Sequence, residues 1–324
     1  MELIQINQSP IVKEVETTSS DQFMEANTEA VNFITLDKKC IIPVFAKDNE
    51  PTISHSSFIT TVQDAAREWL NAEKILEPAI RVSHSIKGRT PEAIDKPVAL
   101  LKESEKTLYY ERMAFIIDIP TIYDEVAGNK LTLSVGGVRA YNHDNLRSRK
   151  TEEKFKIFIG FKNMVCINLC ISTDGLQEEI RVRTIDELKE KAFQMVAGFN
   201  APEEIKKFKA LPGRSITEKQ FAQMVGRARM FPHIPKSQKG GVPEFPLSDS
   251  QVTTVVKDYY SNESFCRDKQ GNINLWRLYN LFTNANKSSY IDNFLQREAG
   301  AFSFIQSILE SVRNDRKHWY LNSN

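Results

Sequence analysis

The sequence predicts an α+β protein, with an antiparallel β-meander in the middle of the chain followed by a mostly helical C-terminal half. Two observations predict it. Between about 112 and 184, apolar residues alternate in short runs separated by turn formers; in FKIFIGF, Phe155, Ile157, Ile159 and Phe161 share one face. From 184 onward the apolar period lengthens to that of a helix, and capping signatures appear. Strands grouped first and helices grouped later give an α+β class rather than an alternating one. Residues 1–55 read as a loosely structured N-terminal segment and 56–324 as a single domain, β-rich over 78–184 and helical over 185–313.

In chain order, ETTSSDQFMEANTEA and FAKDNEPTISHSS are polar and turn-rich, with a short strand expected at CIIPVF between them. A helix is expected over 62–77, where Val62, Ala66, Trp69, Leu70 and Glu73 follow helical spacing, Thr61 can cap, and Pro78 ends the run. AIRVSHSI alternates as a strand. Thr90 and Pro91 form a helix start, giving a short helix at 91–94 or one at 97–107. MAFIIDI, KLTLSV, FKIFIGF, MVCINLCIS and EIRVRT are the strands of the meander, with Lys162-Asn163 as a two-residue connection and Asp174-Gly175 as the next turn. Thr184 with Glu187 and Ser215 with Glu218 are capping-box pairs before two helices. A Pro- and Gly-rich loop from Pro232 to Pro246 leads to helices at about 248–260, 274–287 and 288–313.

At 41% hydrophobic and 26% charged the composition is globular, and 324 residues bury a core without covalent staples. A net charge of +1 excludes a wholly basic nucleic-acid protein but leaves room for a local basic patch. Four cysteines do not make a disulfide framework. No stretch is apolar over a membrane-spanning length, and the start lacks a secretory layout. A cytoplasmic protein with no membrane association is expected.

The strongest functional lead is NLWRLYNLFTNANKSSYIDNFL. At 100° per residue, Leu275, Leu278, Tyr279, Phe282 and Ala285 gather on a core side, while Trp276, Asn280, Thr283, Asn284 and Lys287 gather opposite. A stacking ring, amides and a cation suit single-stranded nucleic acid. Helix capping explains the same residues without a ligand. Residues 206–239 carry nine bases and one acid, Glu218. Within them Lys219, Arg227 and Arg229 lie on a helix whose exposed Gly226 permits close approach of a backbone; a solvated basic face is the plainer account. Lys87, Gly88 and Arg89, just before a helix start, form a candidate anion site, though Glu92 competes for the same field and P-loop spacing is lacking.

Cys166, Asn168 and Cys170 fall on one face of the expected strand MVCINLCIS. A metal would need further ligands such as His84, His143 or Cys266, and no motif supplies them, so zinc is not expected. The cysteines read as small apolar residues, and Asn168 as an organiser of a neighbouring loop. His143 beside Asp144 is no dyad by adjacency alone. Glu111 and Asp118 have no spacing that argues for a metal-dependent nuclease. No catalytic residue, metal or cofactor is expected, and an enzyme is not the favoured reading.

Six stretches together resemble one family: RVSHSIKGRTPEA, KTLYYERMAFIIDIP, LTLSVGGVRAYNHDNL, FKIFIGFKNMVCINLCISTDG, QFAQMVGRARMFPHIP and NLWRLYNLFTNANKSSYIDNFLQR. That family is catalogued as domain of unknown function number three-eight-seven-one, and the likeness covers roughly residues 25–313. A weaker likeness connects Cys166, Asn168, Asn280 and Thr283 to the broader phage/plasmid-like protein family. The resemblance implies a mobile-element context, in conjugative elements and phage-like islands, and no activity. A meander followed by the 184–199 helix also resembles the order in single-strand annealing proteins, an analogy of fold only. The leading expectation is a protein that binds single-stranded nucleic acid, with Lys219, Arg227 and Arg229 on phosphates and Trp276, Asn280 and Lys287 on bases or backbone. The alternatives are an interaction or inhibitor module acting on a host protein, and a metal-dependent nuclease.

Overall fold

The computed structural model describes residues 23–40, 52–93, 95–141, 152–261 and 266–321. The expected strand CIIPVF, apart from Cys40, and the His143–Asp144 pair lie outside them. The first elements are β1 (Glu29–Val31) and α1 (Phe33–Lys39), within the segment expected to be loosely structured. Asn32 caps α1, its Oδ1 accepting the Thr35 N–H at 2.7 Å. α2 (His55–Trp69) begins seven residues earlier than periodicity suggested, because Ser54 rather than Thr61 caps it, accepting the Ser57 N–H at 2.9 Å.

β2 (Ala79–Val82) and β3 (Ser85–Arg89) divide the run AIRVSHSI between two sheets. β3 pairs with β4 (Lys106–Tyr110) in a two-stranded ribbon. The expected helix at 91–94 or 97–107 is replaced by three single 3-10 turns, at Pro91–Ala93, Val98–Leu100 and Glu103–Glu105.

The predicted meander is the main sheet. β5 (Arg112–Val126), β6 (Asn129–Ala140) and β7 (Glu153–Asn163) form its centre, with β8 (Leu169–Cys170) and β9 (Leu176–Val182) both pairing with β7. The strand order is β1-β2-β5-β6-β7-β8, antiparallel throughout. β5 runs through Pro120; the pairing register shifts between Ile119 and Tyr123, as a strand residue without an N–H requires. The β5–β6 hairpin turns at Ala127 and Gly128, both with positive φ (49° and 79°), the conformation that a two-residue turn between twisted strands demands.

Residues Met113 to Ile119 are buried without alternation because both sheet faces are covered. On one face Phe115, Ile117, Phe155, Ile157 and Ile159 pack against Phe58, Ile59 and Val62 of α2 and Leu188 and Ala192 of α3 (Ile185–Gly198). On the other, Ala114, Ile116, Val138 and Phe158 meet Phe23, Met24 and the Ile291, Phe294 and Leu295 side chains. The Phe58 ring crosses Gly137, where an added Cβ would lie 2.5 Å from Phe58 Cζ and 2.7 Å from the Lys156 carbonyl. Gly137→Ala should therefore destabilise the protein by about 1–3 kcal/mol, the usual cost of overpacking. Chemical denaturation checks this; an unchanged midpoint would contradict the packing described.

Helices dominate the remainder. α4 (Ala201–Lys209) was not apparent from the sequence and inserts Phe208 between Phe161 and Phe302. β10 (Ser215–Ile216) precedes α5 (Glu218–Met230), whose capping box is Thr217 with Gln220 and not Ser215 with Glu218. α6 (Asp249–Tyr260), α7 (Leu275–Asn286) and α8 (Ile291–Arg313) follow close to the expected bounds, with an unexpected two-residue strand, β11 (Ile273–Asn274), before α7. Among the described residues no helix is long and apolar enough to cross a membrane.

Candidate binding cleft

The run MVCINLCIS is mostly not a strand. Lys162 and Asn163 still belong to β7, and residues 164–168 form a turn before the two-residue β8. Asn163 closes this turn three ways. Its N–H donates to the Asn168 carbonyl, its carbonyl accepts the Ile167 N–H, and its Oδ1 accepts the Val165 N–H, each at 2.9 Å. Ile167 sits at φ 58°. A β-branched residue in the left-handed region costs about 1–3 kcal/mol and persists only where surroundings enforce it. One enforcing contact is Lys287, whose Nζ donates to the Cys166 carbonyl at 2.6 Å.

α7 lies against this turn. Asn280 Nδ2 donates to the Trp276 carbonyl at 2.8 Å, and Asn280 Oδ1 accepts from Asn163 Nδ2 at 3.2 Å and from the Cys166 thiol at 3.5 Å. Asn168 Nδ2 donates to the Asn280 carbonyl at 3.1 Å. The tight β5–β6 turn delivers Asn129, whose Oδ1 accepts the Trp276 indole N–H at 3.0 Å. The turn, the hairpin and the helix together enclose a cleft of about 570 Å³, lined by Asn129, Asn163, Asn168, Asn274, Asn280 and Asn284, with Arg277 and Asp258.

Several of these groups retain hydrogen-bonding capacity. Asn168 is 2% exposed, and its Oδ1 has no partner among the described residues. A buried amide oxygen left unpaired costs about 1–3 kcal/mol, so it marks a place where a donor belongs. The Nδ2 groups of Asn129 and Asn274, the Oδ1 of Asn284 and the exposed Arg277 guanidinium likewise have no partner among the described residues. Val165, 70% exposed, is apolar lining at the turn. Burial pushes the Cys166 thiol up, so it stays protonated and is a poor nucleophile. Among the described residues no group of three or more His, Cys, Asp or Glu is placed to hold a metal ion. Asp118 pairs with Lys162 and accepts from Ser134, while Glu111 pairs with Arg112, so each acid faces a cation.

The residues expected at a nucleic-acid surface are not brought together. Trp276 is 2% exposed and Lys287 7%, buried where a free polar face was expected. α7 is surrounded by the turn, α6 and α8, so only Arg277, Asn284 and the half-buried Asn280 reach outward. On α5, Arg227 stacks over Trp319 and donates to its carbonyl, and Arg229 pairs with Asp249 at 2.9 Å and bonds Thr253. Lys219 is exposed, and no α5 residue lines the cleft. Lys87, Gly88 and Arg89 belong to the β3–β4 ribbon, where Gly88 opposes Thr107 and Arg89 donates to the Lys96 carbonyl. The turn that follows them is only three residues long, too short to present a helix N-terminus. Of the six expected contact residues the fold sets Trp276 and Asn280 in the cleft, Trp276 as a buried part of its wall and Asn280 half-exposed. Asn129, Asn163, Asn274 and Arg277 were missed. Their only sequence signal is asparagine recurring at strand ends and helix starts, which turns and caps also produce.

A family model described as "Domain of unknown function, B. Theta Gene description (DUF3871)" matches residues 5–321. No curated protein and no solved structure matches the chain.

Proposed function

From the premise that the chain belongs to the DUF3871 family, we propose that the asparagine cleft binds an unstacked base of single-stranded nucleic acid. In this reading the protein serves a conjugative or phage-like element by holding its single strands. The observation that carries the reading is the set of uncommitted amide groups on Asn129, Asn274 and Asn284: donors on the first two and an acceptor on the third. A nucleobase edge offers both donors and acceptors in one plane, and side-chain amides pair with such edges. The contact set differs from the one expected from the sequence. Trp276 forms part of the wall, its indole N–H committed to Asn129, and the cation at the rim is Arg277.

Fluorescence anisotropy with a labelled mixed-sequence strand of about 16 nucleotides, DNA and RNA, tests the proposal. Arg277→Ala removes an exposed side chain that has no hydrogen bond or ion pair among the described residues, and should weaken binding and reduce the salt slope by about 1. Asn284→Ala should cost about 5-fold or more in affinity and shift base preference. Absence of binding to any strand by the folded wild type would remove the reading. Capture of a protein partner that survives nuclease treatment would instead favour the interaction-module alternative.

A further inference from the structure

We propose that a second cavity, formed where α8 passes the segment leading into α6, is a binding site for a phosphate group, centred on Arg297. The cavity holds about 710 Å³ and is bordered by Ser248, Asn293, Gln296, Arg297 and Ser303. Arg297 is half-buried; its Nη1 donates to Gln251 Oε1 at 3.2 Å and Ser289 Oγ at 2.9 Å, both neutral acceptors. No carboxylate among the described residues pairs with it, and its Nε and Nη2 have no partner there. A partly desolvated guanidinium without a counter-charge favours an anion, and a fork of N–H donors matches two oxygens of a phosphate. Burial alone pulls the Arg297 pKa down, with no acid acting in the opposite sense.

The surroundings supply what a phosphate's other oxygens need. Ser248 caps α6, so the amides opening that 12-residue helix lie at the cavity edge. Asp249, the acid in that first turn, is drawn to Arg229. Among the described residues Glu244 is the sole carboxylate in the lining; it is exposed, and its charge is felt at Tyr320, whose pKa is raised first by burial and then by Glu244. Gly300 permits the close approach that shapes the cavity, since a Cβ there would lie 3.2 Å from Pro246 Cβ. This site stands independently of the asparagine cleft, with which it shares no residue.

The test uses inorganic phosphate on the full chain. Phenylglyoxal modification of Arg297, mapped by mass spectrometry, should slow about 10-fold at phosphate ten times above its Kd. Arg277→Ala should show the same protection, which separates this site from the cleft. Arg297→Met should lose any rise of melting temperature with phosphate, and Arg297→Lys should keep part of it. If Arg297→Met does not fold, protection of the wild type still decides. Equal slowing of all arginines, or equal protection by chloride, would identify a general salt effect and overturn the proposal, as would no protection at all. A labelled single strand that protects Arg297 as well as phosphate does would identify a nucleic-acid backbone as the source; protection by phosphate alone would identify a free phosphate or small phosphate ester.

Discussion

Replacing Glu153 by alanine should lower the unfolding free energy by about 3–5 kcal/mol, the largest single-residue loss expected in this protein. Glu153 is 1% exposed and pairs with Arg139, also 1% exposed, on neighbouring strands of the sheet. The carboxylate accepts the Ile53 N–H at 3.1 and 3.2 Å, and Arg139 donates to the Ile53 carbonyl. The pair therefore replaces the sheet's missing backbone partners for the chain just before α2. The guanidinium is also held between the Tyr141 and Phe155 rings, at 4.5 and 4.4 Å from their centroids. Removing Glu153 strands a buried cation and a buried amide together. Replacing both members, with Arg139→Met and Glu153→Leu, should recover only part of the loss: two apolar residues leave no uncompensated charge but orphan the Ile53 N–H and carbonyl. Urea denaturation of the single and double variants measures both quantities. A single-variant loss below about 1 kcal/mol would show that the pair is solvated despite its burial.

Glu298 should give the protein an unusual pH dependence. It lies fully buried between α7 and α8, and burial raises its pKa to about 8 against the opposing effects of an Asn286 hydrogen bond and the Lys287 charge. The folded protein then holds a proton that the unfolded chain has released from about pH 4.5 upward. Stability conferred by that proton is complete below pH 4.5 and falls as pH rises toward 8. Glu298→Gln keeps the shape and the Asn286 contact but cannot ionise. Its stability relative to wild type should therefore rise across this window by about 4 kcal/mol, at 1.36 kcal/mol per pKa unit. Groups facing Glu298 include Lys287, Cys170 and Tyr279, and the thiol and phenol, both pushed up by burial, stay neutral over the window. Melting temperatures of both proteins from pH 5 to about 8.5 test this. Parallel curves would show that Glu298 is ionised throughout.

The same region shows why the fold was legible and the site was not. Periodicity located β5, β6 and β7 because each strand alternates or runs apolar between turn formers, and that pattern depends only on neighbours in sequence. It failed at MVCINLCIS, where the residue types favour a strand but Asn163 and Lys287 hold a left-handed Ile167 and make a turn. It also misjudged α7, since a wheel of one helix sorts residues by polarity and cannot show how many elements surround it. Trp276 and Lys287 are buried because the β5–β6 hairpin and the β7–β8 turn close over the side that the wheel left open.

By itself the sequence determined the α+β class, the central strands β5, β6 and β7 with helices after them, and the cap of α3, because these follow from short-range spacing and local hydrogen bonding. Only the tertiary structure decided which polar residues remain available. Arg227 and Lys287 found carbonyls, and Arg229 found Asp249, on elements remote or separate in the chain, whereas among the described residues Asn284 and Arg297 keep unused hydrogen-bonding groups beside cavities. Availability is what remains after every long-range contact has formed, and no local pattern encodes that remainder.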